Sequence, residues 1–169
     1  MFTIRRCETK HDYAIAVDLL DELSAWDSAE TEKLGFAAQS VLDFYYGSAN
    51  TLPTTPASRS ELTLLGYDGS DIGGCISYRE LEPAICEMKH LYVRPPFRQS
   101  GLGRGLVSSL ISNAHEAGYR QIRLETVTFM GNAIRMYERM GFVRRTPYYE
   151  IPEAFLPITV FMERNLDDG

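Results

Sequence analysis

Residues 98–119, RQSGLGRGLVSSLISNAHEAGY, run from a glycine-rich turn straight into an amphipathic helix. Leu106, Val107, Leu110, Ile111 and Ala114 fall at i, i+1, i+4, i+5 and i+8 and form one apolar stripe. Gly118 stands where a C-terminal cap belongs. The helix start is a prepared anion site: its first N–H groups have no carbonyl partner within the helix, and the peptide dipoles place partial positive charge there. Gly101 and Gly103 let the backbone approach a ligand closely, while Arg98 and Arg104 bracket the turn with fixed positive charge. The whole reads as a phosphate cradle.

Two common cradles fail against this stretch. A P-loop needs a lysine after its last glycine, and none follows here. A Rossmann turn needs G-x-G-x-x-G in the first βαβ unit, whereas positions 101, 103 and 106 are Gly, Gly and Leu, past the chain's midpoint. What remains is R-x-x-G-x-G after the strand 86–97, CEMKHLYVRPPF, closed by Pro95 and Pro96 because a proline pair cannot continue a central ladder.

That strand, turn and helix, as HLYVRPPFRQSGLGRGLVSSLI, resemble the pyrophosphate-binding motif of the GNAT superfamily of N-acetyltransferases. Further matches follow in order. Residues 121–127, QIRLETV, read as the next strand, and 131–142, GNAIRMYERMGF, as a short helix with Gly-Phe opening another strand. The resemblance covers about residues 86 to 149. It departs at Met130, where many members carry asparagine; Asn132 lies two places further on. It implies an α/β (α+β) fold over a single domain, residues 1–169, with a mixed central sheet, splayed parallel strands and helices on both faces.

A chain of 169 residues with 44% apolar and 24% charged side chains suits one globular domain. No run of about 20 apolar residues offers a membrane span, and MFTIRRCETK lacks the apolar core of a signal peptide. Cys7, Cys75 and Cys86 are too few, and odd in number, for a disulfide framework, so a cytoplasmic setting is expected. Charge is segregated. Residues 1–85 carry 6 basic and 14 acidic side chains, residues 86–145 carry 10 and 4, and residues 146–169 carry 1 and 5. A basic island around the glycine turn suits a ligand with several phosphates. The acidic remainder and the absence of a recognition motif argue against nucleic acid.

The rest of the chain reads as a first strand at 2–7, helices at 11–24 and 29–46, a Pro/Ser/Thr-rich loop at 49–60, and a hairpin of strands 61–68 and 73–80. The expected order is β-α-α-β-β-β-α-β-α-β-β.

The resemblance implies a site for acetyl-CoA, the co-substrate, built by Leu91, Tyr92 and Val93 and by Arg98, Gln99, Ser100, Gly101, Leu102, Gly103 and Arg104, with Asn132 and Tyr137 near the thiol. Leu91 and Val93 would contribute main-chain contacts to the pantetheine arm. Acetyl transfer to a primary amine needs a base for the amine, a donor for the oxyanion and a proton for the departing thiolate. Tyr137 is the candidate acid. Glu87, on the strand entering the site, is the favoured base, with Glu125, His90 and ordered water as alternatives. Cys75 and Cys86 read as buried small hydrophobes rather than nucleophiles. His11, His90 and His115 show no metal-ligand spacing, so no metal is expected. Aromatic residues Phe44, Tyr45, Tyr46, Tyr148 and Tyr149 are candidates for the acceptor side. The expected partners are acetyl-CoA and an amine, with the chain a monomer or homodimer. The rival reading is a non-catalytic acyl-CoA-binding or regulatory module on the same fold.

Overall fold

A computed structural model describes residues 2–47 and 60–167. Its elements are β1 (Phe2–Arg6), α1 (Lys10–Glu32), α2 (Ala38–Tyr45), β2 (Glu61–Asp68), β3 (Asp71–Glu82), β4 (Ile85–Val93), α3 (Leu102–Glu116), β5 (Gln121–Val127), α4 (Gly131–Arg139), β6 (Val143–Arg145) and β7 (Thr159–Asn165). The element order is the expected one. Of the loop expected at 49–60, all but Ser60 lies outside the described residues.

The strands form one seven-stranded sheet in the order β1-β2-β3-β4-β5-β7-β6. Only β4 and β5 run parallel; every other neighbouring pair is antiparallel. Helices cover both faces. On one face the stripe of α3 (Leu102, Leu106, Val107, Leu110, Ala114) and Ile134 of α4 pack on Leu64, Ile76, Met88, Ile122 and Leu124. On the other, Tyr13, Ala16, Leu19 and Leu23 of α1 pack on Leu65, Cys75 and Tyr92. A third cluster joins Val41 and Tyr45 of α2 to Val127 and Phe155.

Two glycines fix where α3 begins. Its first residue, Leu102, is wholly buried, and a Cβ on Gly66 or Gly73 would lie 2.7 or 2.5 Å from its terminal methyls. The sheet is therefore hollowed to receive Leu102, which anchors the helix N-terminus to β2 and β3. At the far end Gly118, with φ +92°, closes the helix as its sequence position implied.

The first helix corrects the sequence reading. Apolar periodicity suggested a break after residue 24, yet α1 continues to Glu32 and α2 is correspondingly short. A capping box starts α1: the Thr9 hydroxyl accepts from the Asp12 amide, and the Asp12 carboxylate accepts from the Thr9 amide. The chain then turns at Gly35 in a left-handed conformation, φ +89°. The buried stripe of α1 does not end where its apolar residues end. It passes from Tyr13, Ala16, Leu19 and Leu23 to Asp27, Ser28 and Thr31, so one helical face changes from apolar to polar.

Candidate active site

β4 and β5 pair only over Ile85–Met88 and Gln121–Leu124. Beyond Met88 the two strands part. β4 also carries a bulge opposite Ile76, where the β3–β4 register shifts, and His90 there is left-handed, φ +58°. A bulge inserts a residue and bends its strand. Here it places Met88, Leu91 and Val93 on the α3 face and Tyr92 on the α1 face. The gap is a cleft of about 660 Å³ including its open mouth. Its walls come from β4 (Met88 to Leu91), β5 (Leu124 to Val127), α1, α2 and Tyr137 of α4.

The glycine turn lies at the end of the same strand. Gln99 and Gly101 are both left-handed, φ +64° and +95°, and Gly101, the α3 N-cap, supplies no side-chain cap to the helix start. The Leu102 amide reaches only the Ser100 hydroxyl, at 3.4 Å, and the Gly105 amide is the first to bond within the helix, to the Gly101 carbonyl at 3.0 Å. The amides of Gly103 and Arg104 have no protein partner among the described residues. Ser100, Gly101 and Arg104 are exposed. Arg98 folds back: its Nε donates to the Val93 carbonyl at 3.0 Å, and its guanidinium lies 5.5 Å from the Trp26 ring.

The structure separates the two candidate carboxylates. Glu87 is buried and fully engaged: Arg79 Nε donates to it at 3.0 Å, the Tyr148 hydroxyl donates at 2.8 Å, and Lys89 Nζ stands 3.6 Å away. It is not among the residues lining the cleft. Glu125 is among them, and its Oε2 is buried with no hydrogen-bond partner among the described residues. Burial pushes the Glu125 carboxyl up to about 7, against the pull of Lys89 Nζ at 3.9 Å and with help from Glu87.

His90 also lines the cleft, with Nδ1 2.9 Å from the Ser77 hydroxyl. Tyr137 is buried on the cleft wall, and burial raises its hydroxyl pKa, so it holds its proton. Asn132 lies exposed on the first turn of α4, accepting from Arg135, and does not line the cleft; Met130 does. The Tyr92 side chain packs in the α1 cluster and bonds Glu22. Tyr45 of α2 and Tyr46 at its C-cap line the cleft, whereas Tyr148 and Tyr149 pack on Phe161. The three cysteines are buried with thiols pushed up to about 12 by burial, which makes them poor nucleophiles. Among the described residues no group of three or more His, Cys, Asp or Glu could hold a metal, and no helix is long and apolar enough to cross a membrane.

Sequence reasoning missed Asp27. It is buried on the cleft wall, with the Tyr46 hydroxyl donating to Oδ2 and no partner for Oδ1 among the described residues. Burial pushes its carboxyl up to about 6. The signal was the polar interruption at Asp27-Ser28 in an otherwise continuous helix.

Parallel strands that part beside a glycine-turned helix start mark this α/β fold. The profile of the Acetyltransferase (GNAT) family matches residues 21–142, and the chain belongs to that family. An uncharacterized N-acetyltransferase of Schizosaccharomyces pombe is 38% identical over 90 residues, 53% of each chain. An IAA acetyltransferase of Azospirillum brasilense is 32% identical over 87 residues, 52% of this chain and 56% of that one. The chain spans about half the length of the curated relatives it matches. Among solved structures, one from Klebsiella pneumoniae described as an acyl-CoA N-acyltransferase superposes with TM-score 0.73 at 26% identity, covering 98% of both chains. An acetyltransferase of Salmonella typhimurium determined with its cofactor acetyl-CoA shares the fold, with TM-score 0.67 at 19% identity over 99% of this chain and 95% of that one.

Proposed function

We propose that this chain is one N-acetyltransferase domain that moves the acetyl group of acetyl-CoA directly onto a primary amine. The observation that carries this reading is the placement of Glu125 and Tyr137 on one cleft, where β4 and β5 separate next to the start of α3. The bare amides at the α3 start and the flanking arginines suit the diphosphate. The edge of β4 beyond Met88, unpaired by β5, suits the pantetheine amides, which would add to it as a strand does.

In this reading Glu125 takes a proton from the acceptor nitrogen, and the freed lone pair attacks the thioester carbonyl. A C–N bond forms, the negative charge passes to the carbonyl oxygen, and the C–S bond breaks as the carbonyl reforms. Tyr137 donates its proton to the departing sulfur and is reprotonated by the second proton, which the nitrogen sheds as the amide forms, because a buried phenolate is costly. The products are an amide and the CoA thiol. Glu87, held between Arg79, Lys89 and Tyr148, positions Lys89 rather than acting as the base.

The test is CoA release from acetyl-CoA across a panel of amines. Tyr137→Phe should lower turnover by about 10–1000-fold with little change in acetyl-CoA affinity. Tight binding with no turnover on any amine would replace this reading with the non-catalytic one.

A further inference from the structure

The acceptor end of the cleft has a charge and donor inventory that selects among amines. It is walled by Asp27 on α1, Tyr45 on α2 and Tyr46 at its C-cap, Lys89 and His90 on β4 and Glu125 on β5. Asp27 and Glu125 each leave one buried oxygen without a partner among the described residues. Asp27 is only 7% exposed. An unpaired buried carboxylate oxygen costs stability that a core residue would avoid, and here two of them flank one space.

Every other charge facing that space is committed. Lys89 lies between Glu87 and Glu125, at 3.6 and 3.9 Å. Arg79 is bonded to Glu87, and Arg123 to Glu82 at 2.8 Å. His90 Nδ1 meets Ser77. The hydroxyls of Tyr45 and Tyr46 are spent, Tyr46 on Asp27 and Tyr45 on Thr159. Of the Lys, Asp and Glu side chains that line this space, Lys89 stands against two acids, Glu125 and Asp27, leaving one negative charge in excess when both are ionised. A cation neutralises it; an anion doubles the excess.

We infer that Asp27 holds the second nitrogen of the acceptor as an ammonium while Glu125 faces the nitrogen that reacts, so that the acceptor class is a small aliphatic diamine. This rests on the acetyltransferase reading and adds to it a substrate class and a specificity residue. The aromatic rings of Tyr45 and Tyr46 suit the same cation, since a ring face attracts an ammonium. The polar last turns of α1 then have a purpose: the face that buries Leu19 and Leu23 against the sheet presents Asp27 once it reaches the cleft.

The experiment compares 1,4-diaminobutane, n-butylamine and 4-aminobutyrate, which match in length and differ in the far group. With wild type, kcat/KM should fall in that order, by about 100-fold or more from first to last. In Asp27→Asn, which keeps the shape and an acceptor for Tyr46, the ratio of kcat/KM for diaminobutane over butylamine should drop by about 10–100-fold, carried by KM. Equal use of all three amines by wild type would overturn the inference and leave the acetyltransferase reading intact. So would an unchanged ratio in Asp27→Asn. If no amine is acetylated, calorimetric titration of diaminobutane into the protein with saturating CoA decides separately. Binding that weakens about 10-fold or more in Asp27→Asn supports the Asp27 site, and absence of binding overturns it.

Discussion

Substituting Glu125 by glutamine tests the base and its environment together. The carboxyl is raised from an ordinary 4.5 to about 7, chiefly by burial, a displacement that weighs about 3 kcal/mol against the ionised form. The sign follows directly. Because the folded protein holds this proton more tightly than the unfolded chain, the associated stability is complete below about pH 4.5 and is lost as pH rises through about 7. Wild type should therefore lose about 3 kcal/mol relative to Glu125→Gln between pH 4.5 and 8. In a chain of 169 residues that is a change of about 6–12 °C in the difference between their melting midpoints.

The rate should show the opposite face of the same proton. kcat/KM for the preferred amine should rise with unit slope to an inflection near 7 and then level, because only ionised Glu125 accepts a proton. If the acceptor binds as an ammonium, a falling limb follows near the amine's own pKa, about 10. Glu125→Gln should lose the lower inflection and about 100–10,000-fold in rate. Asp27 repels the ionised form of Glu125, so Asp27→Asn should move the inflection to lower pH. Stopped turnover assays over pH 5–10 with calorimetric melting at pH 4.5 and 8 measure all of this. An inflection near 7 that survives in Glu125→Gln, or a rate within threefold of wild type, would refute the reasoning.

Two further expectations address the cradle and its anchor. Gly103→Val sets a branched side chain beside the bare amides, where the nearest atoms, Val93 Cγ2 at 3.5 Å and Met136 Sδ at 4.0 Å, leave ordinary room for a Cβ; calorimetric titration should show CoA affinity weakened about 10-fold or more with the melting midpoint of the free protein little changed. Leu102→Ala empties the hollow between Gly66 and Gly73 and should cost about 2–5 kcal/mol in urea unfolding.

Elements whose signals are local were legible from the sequence. β5 falls at 121–127 as read, β2 at 61–68, and the turn, stripe and terminal glycine of α3 lie where the residues put them. Features set by tertiary partners were not. The apolar spacing that marked a helix at 11–24 does not extend through Asp27 and Ser28, and nothing local says that a buried face can turn polar because it borders a cleft. The left-handed His90 is not a residue type that announces a bulge; the shifted β3–β4 register imposes it. Glu87 and Glu125 looked alike as strand carboxylates. What separates them is Arg79, directly across β3, and Tyr148, 61 residues away, both of which occupy Glu87.

The departures from ordinary stability converge on one place. Of three non-glycine residues with positive φ among the described residues, His90 lies at the cleft and Gln99 in the glycine turn, while Ala84 serves the β3–β4 turn. Among the described residues the two buried carboxylates with an unpartnered oxygen line the same cleft, beside the point where β4 leaves β5. Such strain and unmet bonding persist when the surrounding fold holds them, and they cluster where a ligand completes the structure. In the proposed reading each cost has a matching remedy: amides added to the β4 edge, phosphate oxygens on the α3 amides, and acceptor nitrogens between Asp27 and Glu125. Each ligand at 100 times its dissociation constant should then stabilise the fold by about 2.7 kcal/mol, or about 5–11 °C in melting midpoint. The acceptor's share should grow with pH above about 7, where both acids are ionised. A diamine that raises the midpoint equally at pH 5 and pH 8 would show that these carboxylates are not what it binds.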